Sequence, residues 1–140
     1  MASILLIDDD KNLQIMTAEL LRSAGHTVDT ADDGKPGLAL YKTKLHELVI
    51  TDIVMPDMDG LKLIEELRQT APRPRVIAMS GGSRLSVPLY LPIAKQLGVE
   101  RILAKPVLPD VLLRAVADVL ANPAPATITR ALPATSDVTA

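Results

Sequence analysis

Five short aliphatic runs recur along the chain: SILLI (3–7), TVDTA (27–31), ELVIT (47–51), RVIAM (75–79) and RILA (101–104). Each is bounded by polar residues, Gly or Pro, which is the pattern of a buried strand. The stretches between them carry apolar residues at helical spacing instead. Such alternation leaves little freedom, because parallel neighbours need a long crossover and crossovers of this kind are right-handed. The expected fold is an α/β domain with a parallel sheet covered by helices on both faces.

The helical stretches have readable ends. In LQIMTAELLRSAG (13–25), Leu13, Met16, Leu20, Leu21 and Ala24 form one stripe, and Gly25 stands where a C-cap belongs. LKLIEELRQTAP (61–72) repeats the pattern with Leu63, Ile64, Leu67 and Ala71, and Pro72 as the stop. Residues 35–44 make a helix after the turn signal DDG, with Pro36 in its first turn. Residues 89–97 make a fourth, whose start Pro88 and Pro92 restrict, and Pro109–Ala121 the last. Residues 122–140 are rich in Ala, Thr and Pro without an apolar period. They are expected to be a disordered tail on a domain spanning residues 1–121.

A chain of 140 residues buries a real core, and this one has no Phe or Trp and only two Tyr, Tyr41 and Tyr90, so the core must be aliphatic. The same shortage removes the stacking platforms that bind single-stranded nucleic acid. A formal net charge of -2 supplies no basic footprint for phosphates, so no nucleic-acid partner is expected. Without cysteine there is no disulfide, thiolate zinc site or thiol nucleophile, which suits the cytoplasm. The apolar start Ile4–Ile7 is too short for a signal peptide or a membrane span.

Ligands of open parallel sheets bind beyond the carboxyl ends of the strands. Here those ends carry Asp8 and Asp9, Asp52, Ser80 and Lys105. Singly, each has an ordinary explanation: an aspartate after a strand is commonly a turn residue or N-cap, and a lysine a solvated charge. Jointly, four strand ends bring three carboxylates, a hydroxyl and an ammonium to one rim. Crowded carboxylates repel, and a hard divalent cation reverses that interaction; Mg²⁺ takes one or two carboxylates with water and phosphate oxygens. A carboxylate beside such an ion can attack phosphorus and form an aspartyl phosphate. DMDG (57–60) is similar to a phosphatase nucleophile motif but does not follow a strand directly, and as a calcium loop it would need Met55 as first ligand. His26 and His46 have no partner at ligand spacing and are expected at the surface.

The run IDDD, the block VITDIVMPDMDG, the turn AMSGG and the ending LAKP, in that order, resemble the receiver domain of two-component response regulators over residues 3–121. The resemblance implies a flavodoxin-like (βα)5 fold with strand order 2-1-3-4-5. It implies Asp52 as phosphoacceptor, and a Mg²⁺ site formed by Asp8, Asp9, Asp52 and the backbone carbonyl of Val54. Ser80 and Lys105 then contact the phosphoryl group, and Lys105-Pro106 is a candidate cis peptide bond. Asp10 is left to cap the first helix.

The family's switch pairs the hydroxyl residue with an aromatic three positions before the lysine; here the pair is Ser80 and Ile102, which has no ring and no hydroxyl. Val54 and Gly82, at the positions that tune hydrolysis in the family, offer no group to orient water, so phosphate loss is expected to be slow. The resemblance implies a single-domain, cytoplasmic response regulator, a monomer or weak dimer. It would take phosphate from a histidine kinase or phosphotransfer protein and bind a target on the face of the fourth helix, fifth strand and fifth helix. It would be a phosphoacceptor that catalyses only its own phosphorylation and dephosphorylation. The alternatives are a pseudo-receiver, an interaction module that works without phosphate, and, last, a metal-dependent phosphatase.

Overall fold

The computed structural model describes residues 1–53, 60–80, 96 and 98–122. Strands β1 (Ser3–Ile7), β2 (Thr27–Ala31), β3 (Leu48–Asp52), β4 (Arg75–Ser80) and β5 (Arg101–Ala104) form one sheet in the order β2-β1-β3-β4-β5. Every pairing is parallel, with Ile4 opposite both Val28 and Leu48, and Ser80 opposite Ala104. This is the flavodoxin-like receiver order. The chain leaves β1 toward β2 on one side and returns to β3 on the other, so the switch point lies at the ends of β1 and β3.

Helices α1 (Lys11–Ser23) and α4 (Pro109–Ala121) cover one face, while α2 (Gly34–Lys44) and α3 (Gly60–Arg68) cover the other. Alternation along each strand feeds both layers. Ile4, Leu6, Ile50 and Ile77 pack with Leu21, Leu112 and Val116; Leu5, Ile7, Val49 and Ala78 pack with Tyr41, Leu63 and Leu67. No helix among the described residues is long and apolar enough to cross a membrane. The helix expected over 89–97 lies outside the described residues apart from Gln96, as does the tail beyond Asn122.

Helix α1 is bounded as its residues dictate. The Asp10 side chain accepts a hydrogen bond from the Leu13 amide, the N-cap arrangement. At the other end Gly25 has φ 98°, His26 N–H donates to the Leu21 carbonyl and Gly25 N–H to that of Arg22, which is a Schellman motif. Its buried face, however, is Gln14, Ala18 and Leu21, while Leu13 and Met16 are exposed. The stripe expected from hydropathy was thus displaced, because it could not anticipate a glutamine buried for its hydrogen bonds. Helix α3 likewise ends at Arg68, leaving Ala71 exposed before a cis Ala71–Pro72 bond.

His46 is not at the surface; it is 4% exposed, and its Nε2 lies 2.7 Å from an oxygen of Asp29. The Asp29 carboxyl is held below the usual carboxylate range, first by the hydrogen bond to His46, against a smaller effect of burial, and further by Lys44. A depressed carboxyl contributes stability above its unfolded value, about 3.9, and loses it as pH falls through the folded value. Asp29→Asn is therefore expected to be about 1 kcal/mol less stable than wild type at pH 7, allowing for solvent at the carboxylate. Urea midpoints should show the gap narrowing between pH 5 and 3; a gap independent of pH would refute the charge explanation.

Candidate functional site

Strand β3 is buried along its whole length and delivers Asp52, 5% exposed, to its carboxyl end. Strand β1 delivers Asp8, also buried, and the chain then turns outward so that Asp9 and Asp10 are exposed. The turn is tied by the Asp10 amide, which donates to Asp8 Oδ1 at 2.9 Å. Carboxylate oxygens of Asp8, Asp9 and Asp52 all lie within 4.8 Å of one another.

Lys105 follows β5, and its backbone N–H donates to the Ser80 carbonyl at 2.8 Å, which holds the two strand ends together. The Lys105–Pro106 peptide is cis. Lys105 Nζ stands 2.7 Å from Asp52 Oδ1 and 3.4 Å from Asp8 Oδ2. Ser80 Oγ is buried without a hydrogen-bond partner among the described residues. A buried hydroxyl left unpaired is costly, and this one stands at the end of β4, next in the sheet to the strand end that carries Asp52.

The electrostatics follow from the crowding. Burial, then the neighbouring Asp8, push the Asp52 carboxyl up to about 7, and Lys105 offsets only part of this because its single ammonium is shared between two acids. Burial works against the Lys105 ammonium, but the hydrogen bond and charge of Asp52, with those of Asp8, prevail and raise it. Two buried acids and one exposed one, with one lysine between them, are a cation short of balance. Their oxygen donors suit a hard ion such as Mg²⁺.

Asp8, Asp9, Asp52, Ser80 and Lys105 therefore meet at one rim. Val54 and Gly82 lie outside the described residues. Ile102 is half-buried opposite Ala78 and packs into the layer beneath α2 and α3, as an aliphatic core residue does. Two residues that shape the site escape sequence reasoning. Gln14 turns its amide inward under the acid turn. Gly60, which opens α3, lies against the backbone of Asp52 and Ile53, and its N–H donates to the Ile53 carbonyl at 2.5 Å. The spacing Gln14, Ala18, Leu21 was available as a signal for the first; nothing local marks the second.

Residues 4–117 match the family profile of the response regulator receiver domain. Transcriptional regulatory protein GlrR of Escherichia coli K12 is 38% identical over 126 residues, covering 90% of this chain but 28% of that protein. The chain thus spans just over a quarter of this curated relative. A response regulator receiver domain protein from Clostridium thermocellum superposes with TM-score 0.79 at 28% identity, covering 86% of this chain and 95% of that one. Chemotaxis protein CheY4 of Vibrio cholerae superposes with TM-score 0.78 at 27% identity, covering 85% and 98% respectively.

Proposed function

The chain belongs to the response regulator receiver domain family, and from that premise we propose that it accepts a phosphoryl group on Asp52 from a histidine kinase or phosphotransfer protein. The observation that carries this reading is the placement of Asp52, buried between Asp8 and Lys105, with the unpaired hydroxyl of Ser80 on the neighbouring strand. An Asp52 oxygen attacks phosphorus, and a P–O bond forms as the donor's P–N bond breaks and its electron pair returns to the imidazole. Lys105 Nζ and Ser80 Oγ donate to the phosphoryl oxygens, replacing the pairing that Lys105 makes with Asp52. Asp8 and Asp9 would hold a cation together with Asp52. The chemistry that Mg²⁺ would supply when bound there is to offset the repulsion of the acids and to polarise the phosphoryl group.

The domain promotes only the transfer to and from its own aspartate. The added charge, acting through Ser80, alters the affinity for a target at the surface around β5 and α4. Such a role places the protein in the cytoplasm, where its donors work.

Intact-mass measurement after incubation with acetyl phosphate and Mg²⁺ tests this. One phosphoryl adduct is expected on wild type and none on Asp52→Ala. Absence of an adduct with acetyl phosphate and with a phosphorylated histidine donor would leave an interaction module that works without phosphate. Steady turnover of unrelated phosphate esters would instead indicate an enzyme.

A further inference from the structure

Helix α1 carries a buried polar side chain that the phosphoryl-transfer chemistry does not use. Gln14 is 2% exposed, and its Nε2 lies 3.0 Å from the Asp8 carbonyl, 3.0 Å from the Ala31 carbonyl and 2.9 Å from Asp32 Oδ1. All three neighbours are acceptors, which assigns the nitrogen rather than the oxygen of the amide to this position. The Ala31 carbonyl also receives the Asp8 N–H at 3.1 Å, so the Asp8 main chain is tied to the end of β2 directly through its N–H and, through the Gln14 amide, by its carbonyl. Asp32 is held in turn by Lys11 Nζ at 3.2 Å, and its carboxyl lies below the usual range, first because of the Gln14 amide and then because of Lys11.

Resting on the reading of Asp8, Asp9 and Asp52 as a cation site, we propose that Gln14 is a positioning residue for that site. Its amide fixes the Asp8 carbonyl, and with it the direction in which the acid turn presents the Asp8 and Asp9 carboxylates. The choice of side chain fits this task. Glutamate would face three acceptors with a fourth. Lysine or arginine would set a fixed positive charge under the acid pair, where it opposes a cation. Glutamine supplies two N–H donors with no charge. The Asp8 side chain is already bound on one oxygen by the Asp10 amide, so anchoring the main chain from beneath leaves the turn little freedom to splay.

The test is a Mg²⁺ titration of the full 140-residue chain followed by ¹⁵N NMR, for wild type and Gln14→Met, which keeps length and removes the donors. Wild type is expected to shift the Asp9 and Asp10 amides, with the Gln14 side-chain NH₂ resonances moving at the same midpoint. Gln14→Met, at a temperature where circular dichroism shows it folded, is expected to bind Mg²⁺ about tenfold more weakly, as loss of a group that orients a ligand commonly does. A merely structural glutamine would lower the melting temperature and leave the affinity of the folded protein unchanged. Folded Gln14→Met with an affinity within twofold of wild type therefore overturns the proposal. Should the variant not fold, wild-type Gln14 resonances that stay still while the Asp9 and Asp10 amides move overturn it, and resonances that move with them support it. Wild type that shows no Mg²⁺ shifts at all defeats the cation site itself, a failure visible before any variant is made.

Discussion

Gly60→Ala is expected to lower stability by about 3 kcal/mol, at the upper end for inserting atoms into a packed interior, and to abolish the phosphoryl adduct. A Cβ on Gly60 would meet the Asp52 carbonyl oxygen within contact distance and the Ile53 Cα at 2.5 Å. Both obstacles are backbone, so no rotamer change relieves them. The chain can yield only by moving α3 off the end of β3 or by moving Asp52 itself. The first gives up burial of Leu63, Ile64 and Leu67; the second displaces the acid from Asp8 and Lys105. The urea midpoint should fall by about 1–2 M with an unchanged slope. A variant within about 0.5 kcal/mol of wild type that still takes phosphate would show that the approach is not tight.

With Mg²⁺ removed by a chelator, Asp52→Asn is expected to be more stable than wild type at pH 8, by about 2 kcal/mol. The folded carboxyl titrates at about 7, raised first by burial and then by Asp8, whereas the unfolded value is about 3.9. A raised folded value means that the acid's contribution is fully present below about pH 4 and is lost as pH rises through about 7. About three units amount to roughly 4 kcal/mol at most; the opposing pull of Lys105 is already contained in the folded value, and solvent screening at the rim, where Asp9 is exposed, reduces the figure to about half. Asparagine keeps the volume without the charge. The two proteins should converge below about pH 4, and excess Mg²⁺ at pH 8 should close the gap by stabilising wild type alone. An Asp52→Asn variant less stable than wild type at pH 8 without metal would mean that the Asp52–Lys105 pair outweighs the repulsion.

These two predictions concern the same compromise seen from different elements. The site gathers more acid than its lysine can neutralise, and the fold tolerates this because β1 and β3 are buried on both faces and leave their ends no room to relax. Stability given up in the metal-free state would be returned on binding a cation in the manner proposed above.

How much of this was legible beforehand depended on the range of the interaction involved. The aliphatic runs, the helix start at Asp10 and stop at Gly25, and the span Pro109–Ala121 rest on neighbours a few residues apart; the helix ends are where local patterning places them, and the runs match the strands to within one residue. Strand alternation gave the parallel sheet, and the rule for strand ends then pointed to Asp8, Asp9, Asp52, Ser80 and Lys105 without any coordinates.

Tertiary structure alone decided the rest. His46 is buried where Asp29, on β2, lies within hydrogen-bond reach of its Nε2. Gln14 is buried because carbonyls at Asp8 and Ala31 meet beneath it, and α1 consequently shows Leu13 and Met16 to solvent. Gly60 is required by a backbone that lies against it only after α3 has docked. Lys105 lies closer to Asp52 than to Asp8, a preference of 0.7 Å that no spacing encodes, being 3.4 Å less 2.7 Å. Apolar burial follows from a residue's own chemistry and its local period, so the sequence determined the sheet and the rim. Polar burial is favourable only where a partner waits, and partners are supplied by segments distant along the chain.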